Sequence, residues 1–197
     1  MSKAEQTRQF IIEKTASLFN KNGYAGTSMS DMTDVTGLTK GSIYGNFKNK
    51  EEVALEVFKH NSGILSKKLD VAIGAESKAS KKLLAFTDFY RNNWNSLMER
   101  GGCPLLNSAT EMDDALPFMK DSVQLSFQRL AQRIAKIIDL GIEQDEFRQD
   151  ISSSDYASLF IMLIEGGILL AKTVEKPAYL NLALDRILKI TQEELVK

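Results

Sequence analysis

Residues Gly37 to Val53 read GLTKGSIYGNFKNKEEV, and the way this stretch folds governs how the rest of the chain is read. Twelve consecutive residues, Thr39 to Lys50, contain no acid, three lysines, two aromatics and two glycines. Thr39 is placed to cap a helix over Lys40 to Asn46, because a hydroxyl just before a helix accepts from amides left without partners in the first turn. Ile43 and Phe47, four residues apart, then share one face with Leu38, Met32 and Val35 beneath them, while Lys40, Ser42, Tyr44 and Asn46 stay on the wet side. Upstream, Ser28 with Asp31 has capping-box spacing and predicts a short helix that stops before Gly37. Downstream, Asn49 with Glu52 repeats that logic and opens a longer helix, Lys50 to about Ile73. Two short helices joined by a glycine turn predict a helix-turn-helix.

Working outward, the segments before and after repeat at helical spacing, and no stretch alternates like a strand. The first helix is expected over Lys3 to Lys21, with Phe10, Ile11, the Lys14 stem, Ala16, Leu18 and Phe19 toward the core and Asn22-Gly23 as its stop. Later helices are expected over Lys78 to Glu99, Pro104 to Met112, Pro117 to Gln144, Ser153 to Val174 and Ala178 to Leu195. Pro104, Pro117 and Pro177, the chain's three prolines, each fall where a first helical turn tolerates a missing N–H. The fold class is therefore all-α with about nine helices. Its division is expected at residues 1–48, a three-helix head, and 49–197, a larger helical domain.

Composition narrows the function. With 197 residues, 43% hydrophobic and 26% charged, the chain belongs with ordinary globular proteins. Its N-terminus is charged and lacks the apolar run of a secretory signal. The apolar clusters Phe160 to Ile164 and Ile168 to Ala171, split by Glu165, fall short of the ~20 residues of a membrane span. A cytoplasmic location with no membrane partner is expected. The single cysteine, Cys103, and single histidine, His60, exclude multi-cysteine and multi-histidine metal sites and leave any catalytic triad dependent on one residue. No glycine-rich phosphate loop ends in lysine. Neither enzyme activity nor a metal or cofactor is expected.

DNA carries one phosphate charge per ~1.7 Å of duplex axis, so an acid-rich surface repels it. Residues 1–60 hold eight bases and seven acids, a balance too slight to matter globally. The acid-free window removes the repulsion locally. Gly41 and Gly45 strip side chains from the short helix and let its backbone approach a groove wall, and Lys50 at a helix N-terminus combines a charge with the helix dipole.

The run GTSMSDMTDVTGLTKGSIYGNFKNKEEV resembles the DNA-binding signature of the tetracycline-repressor (TetR/AcrR) family. In that family a start helix, a Gly-Thr turn, the helix-turn-helix and an aromatic-rich close ending in lysine recur. The likeness covers roughly residues 5–55, with the turn glycine, Tyr44, Phe47 and Lys50 in the expected places. The resemblance implies that the helix over Thr39 to Asn46 enters the major groove. Ser28 and Thr39 would cap helices and donate to phosphates; Lys40 and Ser42 would face bases or backbone; Tyr44 would contact a phosphate and Lys50 clamp another, while Asn46 is a candidate contact by its place on the wet face alone. Gly45 departs from the family, whose members often carry a larger polar residue there.

The resemblance further implies a ligand-responsive regulator, most often a repressor, that binds a palindromic operator as a homodimer and is released by a small-molecule effector. For the dimer seam it points to the stripes of the last two helices, with Phe160, Leu163, Gly167, Leu170, Leu184 and Ile187 as candidates. For an effector pocket the candidates are Phe89, Tyr90, Trp94, Cys103, Asn107 and Phe127, aromatics with a few polar groups. Each set also reads as plain core. Cys103, in RGGCPLL, lies beside a helix start whose dipole favours a thiolate, so thiol-based electrophile sensing is a second reading of the signal. A helical protein-interaction adaptor without DNA binding is the rival from another class.

Overall fold

A computed structural model describes residues 2–197, the side chains of 113–115 apart. Helices account for the architecture: α1 (Lys3–Asn22), α2 (Met29–Thr36), α3 (Lys40–Tyr44), α4 (Lys50–Gly74), α5 (Ala79–Asn92), α6 (Trp94–Glu99), α7 (Pro104–Ala115), α8 (Lys120–Glu143), α9 (Ser153–Thr173) and α10 (Ala178–Ile190), with a 3-10 turn at Pro117–Met119 and a π-helical turn at Thr191–Leu195. All nine expected segments are present. The fifth, Lys78 to Glu99, is interrupted at Asn93, whose Nδ2 donates to the Phe89 carbonyl and closes α5 one residue before Trp94 begins α6.

The chain forms two compact units that do not follow its linear order. Residues 1–64 and 99–125 make one; residues 65–98 and 126–197 make the other. The first thus contains the expected three-helix head together with most of α4 and all of α7.

In the first unit, Ile11, Ile12 and Phe19 of α1 meet Met32, Ile43, Phe47, Val53, Ala54 and Val57 in one core, with Leu38, Tyr24 and Phe118 at its edge. Burying Ile43 and Phe47 contributes about 1.5–3 kcal/mol each, which is what holds a five-residue helix too short to persist alone. Two expected core residues face out instead. Phe10 is 39% and Val35 41% exposed; the inward side of α1 runs Ile11, Thr15, Phe19 with Ile12, and Thr15 satisfies its hydroxyl on the Ile11 carbonyl. Lys14 is likewise exposed.

The second unit buries Phe86 and Tyr90 of α5, Ile134 and Ile138 of α8, Phe160, Ile164 and Ile168 of α9, and Leu184 and Ile187 of α10. Glu146 caps α5 from the turn after α8, accepting from the amides of Ala79 and Ser80 and from the Ser80 hydroxyl. Although α9 is long and apolar enough to cross a bilayer, Phe160, Ile164, Gly167 and Ala171 are buried inside the protein. The chain end is fixed too: Phe147 pairs with Val196, and the Arg148 amide donates to the Leu195 carbonyl.

Candidate DNA-binding site

Local chemistry places the reading helix. Ser28 Oγ accepts from the Asp31 amide while the Asp31 carboxylate accepts from the Ser28 amide, closing the capping box that starts α2. These bonds hold the Asp31 carboxyl below its ordinary pKa. Gly37, at φ 69° in the left-handed region, ends α2 and turns the chain. Thr39 then caps α3 by accepting from the Ser42 amide. In each cap the hydroxyl oxygen is the acceptor, which leaves the O–H to donate outward.

On the outer side of α3, Lys40, Gly41 and Tyr44 are exposed, and the Lys40 ammonium stands 5.8 Å from the Tyr44 ring centre. An alanine methyl at Gly41 would meet nothing nearer than Thr39 Oγ1 at 3.9 Å. Nothing inside the protein requires glycine at 41. Ser42 is half-buried, and Asn46 is turned inward, its Nδ2 donating to the Ser42 carbonyl.

Sequence reasoning missed Arg8. Its guanidinium lies 4.1 Å over the Phe47 ring, donates to the Asn46 carbonyl at 2.7 Å and pairs with Glu52 at 2.8 Å, tying the end of α3 to α1 and α4. Glu52 also accepts from the Lys48 amide. That bond first, and Arg8 second, keep its carboxyl below the ordinary range. The signal was an arginine one turn before Ile12, but its partners lie 38 and 44 residues away, beyond any local pattern.

Lys50 opens α4 half-buried, its ammonium 4.1 Å from the centre of the Tyr24 ring. Burial lowers its pKa, and the Glu111 and Asp31 carboxylates pull it back. Tyr24, not singled out by sequence reasoning, is the platform for this charge. Ser28, Thr39, Lys40, Ser42, Tyr44 and Lys50 all belong to this one unit.

The other candidates separate. Phe89 packs edge-on against Tyr90 at 5.4 Å, and Tyr90 against Phe86 at 5.5 Å. Trp94 and Phe127 are half-buried in the same second unit. Cys103 and Asn107 lie in the first. Asn107 Nδ2 donates to the carbonyls of Asn20 and Gly101, so its amide holds a turn. Cys103, 1% exposed, precedes Pro104 at the start of α7.

The expected seam residues Phe160, Gly167, Leu184 and Ile187 are buried within the chain itself. A Cβ on Gly167 would stand 2.9 Å from that of Ala183, which is how closely α9 and α10 approach. Leu163 is half-buried; of the six, Leu170 faces outward. The open apolar side of these helices instead carries Met162 at 64% exposure, Leu169, Leu170, Tyr179 and Leu182 at 69%. α9 is apolar on both its buried and its exposed side, so helical periodicity marks a stripe without saying which side faces the rest of the chain.

A compact three-helix head with a capped, acid-free second turn helix on an otherwise helical chain defines a helix-turn-helix DNA-binding regulator. Residues 11–57 match the family described as bacterial regulatory proteins, tetR family, and residues 79–187 match the tetracyclin repressor-like C-terminal domain. The chain belongs to the TetR family of transcriptional regulators. A TetR-family regulator from Cytophaga hutchinsonii is 38% identical, with 100% of this chain and 98% of that one covered at a TM-score of 0.95. One from Chloroflexus aurantiacus is 31% identical, with 100% and 99% covered at 0.94. The transcriptional repressor DhaR of a Mycobacterium species is 24% identical over 168 residues, 84% of this chain and 82% of its own. Membership makes the protein a transcription regulator and not an enzyme.

Proposed function

We propose that the protein is a dimeric repressor that binds a palindromic operator through α3 and is released when a small molecule occupies its second unit. The observation that carries this reading is the exposed face of Lys40, Gly41 and Tyr44, with no acid from Thr39 to Lys50 and with Lys50 at a helix N-terminus beside it. Such a face accepts duplex phosphates and lets a backbone approach closely. The outward apolar residues Met162, Leu169, Leu170 and Leu182 support pairing of two copies through α9 and α10, since four large apolar side chains exposed on two packed helices call for cover. Two copies would present two reading helices to half-sites about one DNA turn apart. The aromatic set Phe86, Phe89 and Tyr90, with Trp94 and Phe127 in the same unit, favours an effector with a flat or apolar body. Release requires that the effector bind the two head spacings unequally.

Salt-titrated binding to a duplex taken from upstream of the protein's own gene tests it. Affinity should fall steeply with salt, each phosphate contact adding about 0.9 to the log–log slope. Lys40→Ala and Tyr44→Phe should weaken binding while the dimer stays folded. Wild-type affinity in both variants removes α3 from the DNA, and salt-independent failure to bind any duplex leaves the interaction-adaptor reading in its place.

A further inference from the structure

The turn after α1 is gripped from α7, a helix contributed by a distant part of the chain. Glu111 Oε2 accepts from the Tyr24 amide at 2.8 Å. The carboxylate enters where a side chain would otherwise be: a Cβ on Gly23 would lie 2.0 Å from Glu111 Oε1, and Gly23 itself sits at φ 72°. Just beyond α7, Phe118 packs edge-on against the Tyr24 ring at 5.4 Å. On that same ring lies the Lys50 ammonium. Beside these contacts the Asn20 and Asn107 amides bind the turn through Arg100 to Gly102 onto the end of α1. A cavity of about 30 Å³, bordered by Tyr24, Asn61, Asn107 and Glu111, lies behind them.

We propose that Glu111 is a positioning residue for DNA binding: with Phe118 it fixes the Tyr24 ring on which the Lys50 ammonium rests, so that the placement of α7 sets how well Lys50 meets a phosphate. This rests on the reading of Lys50 as a DNA contact. Glu111 itself lies on α7, outside the helix-turn-helix, and acts on Lys50 through this chain of contacts together with the attraction between its carboxylate and the ammonium. Residues 99–125 belong to the first unit although the chain before and after them belongs to the second, and the Glu111 bond and the Phe118 contact carry any shift of α7 to Tyr24. A hydrogen bond and a ring contact of this kind modulate coupling by roughly threefold to tenfold in affinity.

The experiment is a double-mutant cycle on the full-length protein, read as affinity and salt slope for the upstream duplex. Lys50→Ala should weaken binding and lower the salt slope by about one per head. Glu111→Ala should weaken binding by about threefold to tenfold, and this loss should vanish in the Lys50→Ala background. Glu111→Gln keeps an acceptor for the Tyr24 amide and should bind within about twofold of wild type. Phe118→Leu should behave as Glu111→Ala does, and serves if that variant folds poorly. An unchanged salt slope in Lys50→Ala would remove Lys50 from the DNA and with it the basis of the proposal. A normal Lys50 effect combined with an undiminished Glu111→Ala loss in its absence would leave the DNA reading standing and overturn the positioning role.

Discussion

Replacing Gly41 by alanine should move stability and DNA affinity in opposite directions. The backbone at 41 is helical, and the added methyl would meet no atom closer than 3.9 Å, so the folded protein accepts it without strain. An exposed helical glycine costs roughly 0.5–1 kcal/mol relative to alanine, because it has more freedom to lose on folding. Gly41→Ala should therefore stabilise the protein by about that amount and raise its melting temperature by roughly 1–4 °C for a chain of this size. If the bare backbone is where duplex DNA comes closest, the methyl displaces one or more contacts worth ~1–3 kcal/mol each, and affinity falls about tenfold or more. Calorimetry and fluorescence anisotropy on the same preparation give both signs. A stabilised variant with unchanged affinity would show that no DNA backbone or base reaches Gly41. A destabilised one would refute the account of its environment.

Three further outcomes are expected. Gly141→Ala places a methyl 2.2 Å from Phe147 Cδ2, a fully buried ring; overpacking of this kind costs about 1–3 kcal/mol or more, visible as a lowered melting temperature, with Gly141→Ala/Phe147→Leu recovering part of it. Leu182→Glu with Met162→Glu should yield a folded monomer in sedimentation analysis, with operator affinity lost; a dimer of wild-type strength would place the seam elsewhere. The Glu52 carboxyl is held below its ordinary value of 4.5 in the folded state. Its stabilising share is therefore present above the ordinary value and disappears as pH falls through the lowered one. Glu52→Gln should be less stable than wild type at neutral pH and lose less on acidification, a difference followed by thermal melts across pH 3–7.

The head was legible because its signals are local. Ser28 with Asp31, the left-handed turn at Gly37, the Thr39 cap and the Ile43–Phe47 pair each involve residues within a few positions of one another, and each is present. What escaped depends on separation. Arg8 reaches Asn46 and Glu52, and Glu111 reaches Tyr24 across 87 residues, distances over which pattern carries no information. Phe10 and Val35 were misassigned because a helix with apolar groups on more than one side does not declare which side its neighbours occupy. The same ambiguity holds for α9, where Phe160 and Gly167 are buried and Leu170 faces outward. At the break, the backbone N–H and the side-chain amide of Asn93 both donate to the Phe89 carbonyl, a cap that propensity alone leaves open.

The return of residues 99–125 to the first unit bears on how the protein is made. During synthesis the first 64 residues leave the ribosome well before α7 and Phe118 exist, so Tyr24 and the flank of α1 must wait, wet, for their cover. At about 5–20 residues per second the gap lasts several seconds. A fragment cut at residue 48 would carry that unfinished flank permanently, and nascent chains halted before residue 125 should be cleaved by protease near the turn after α1, where completed ones resist.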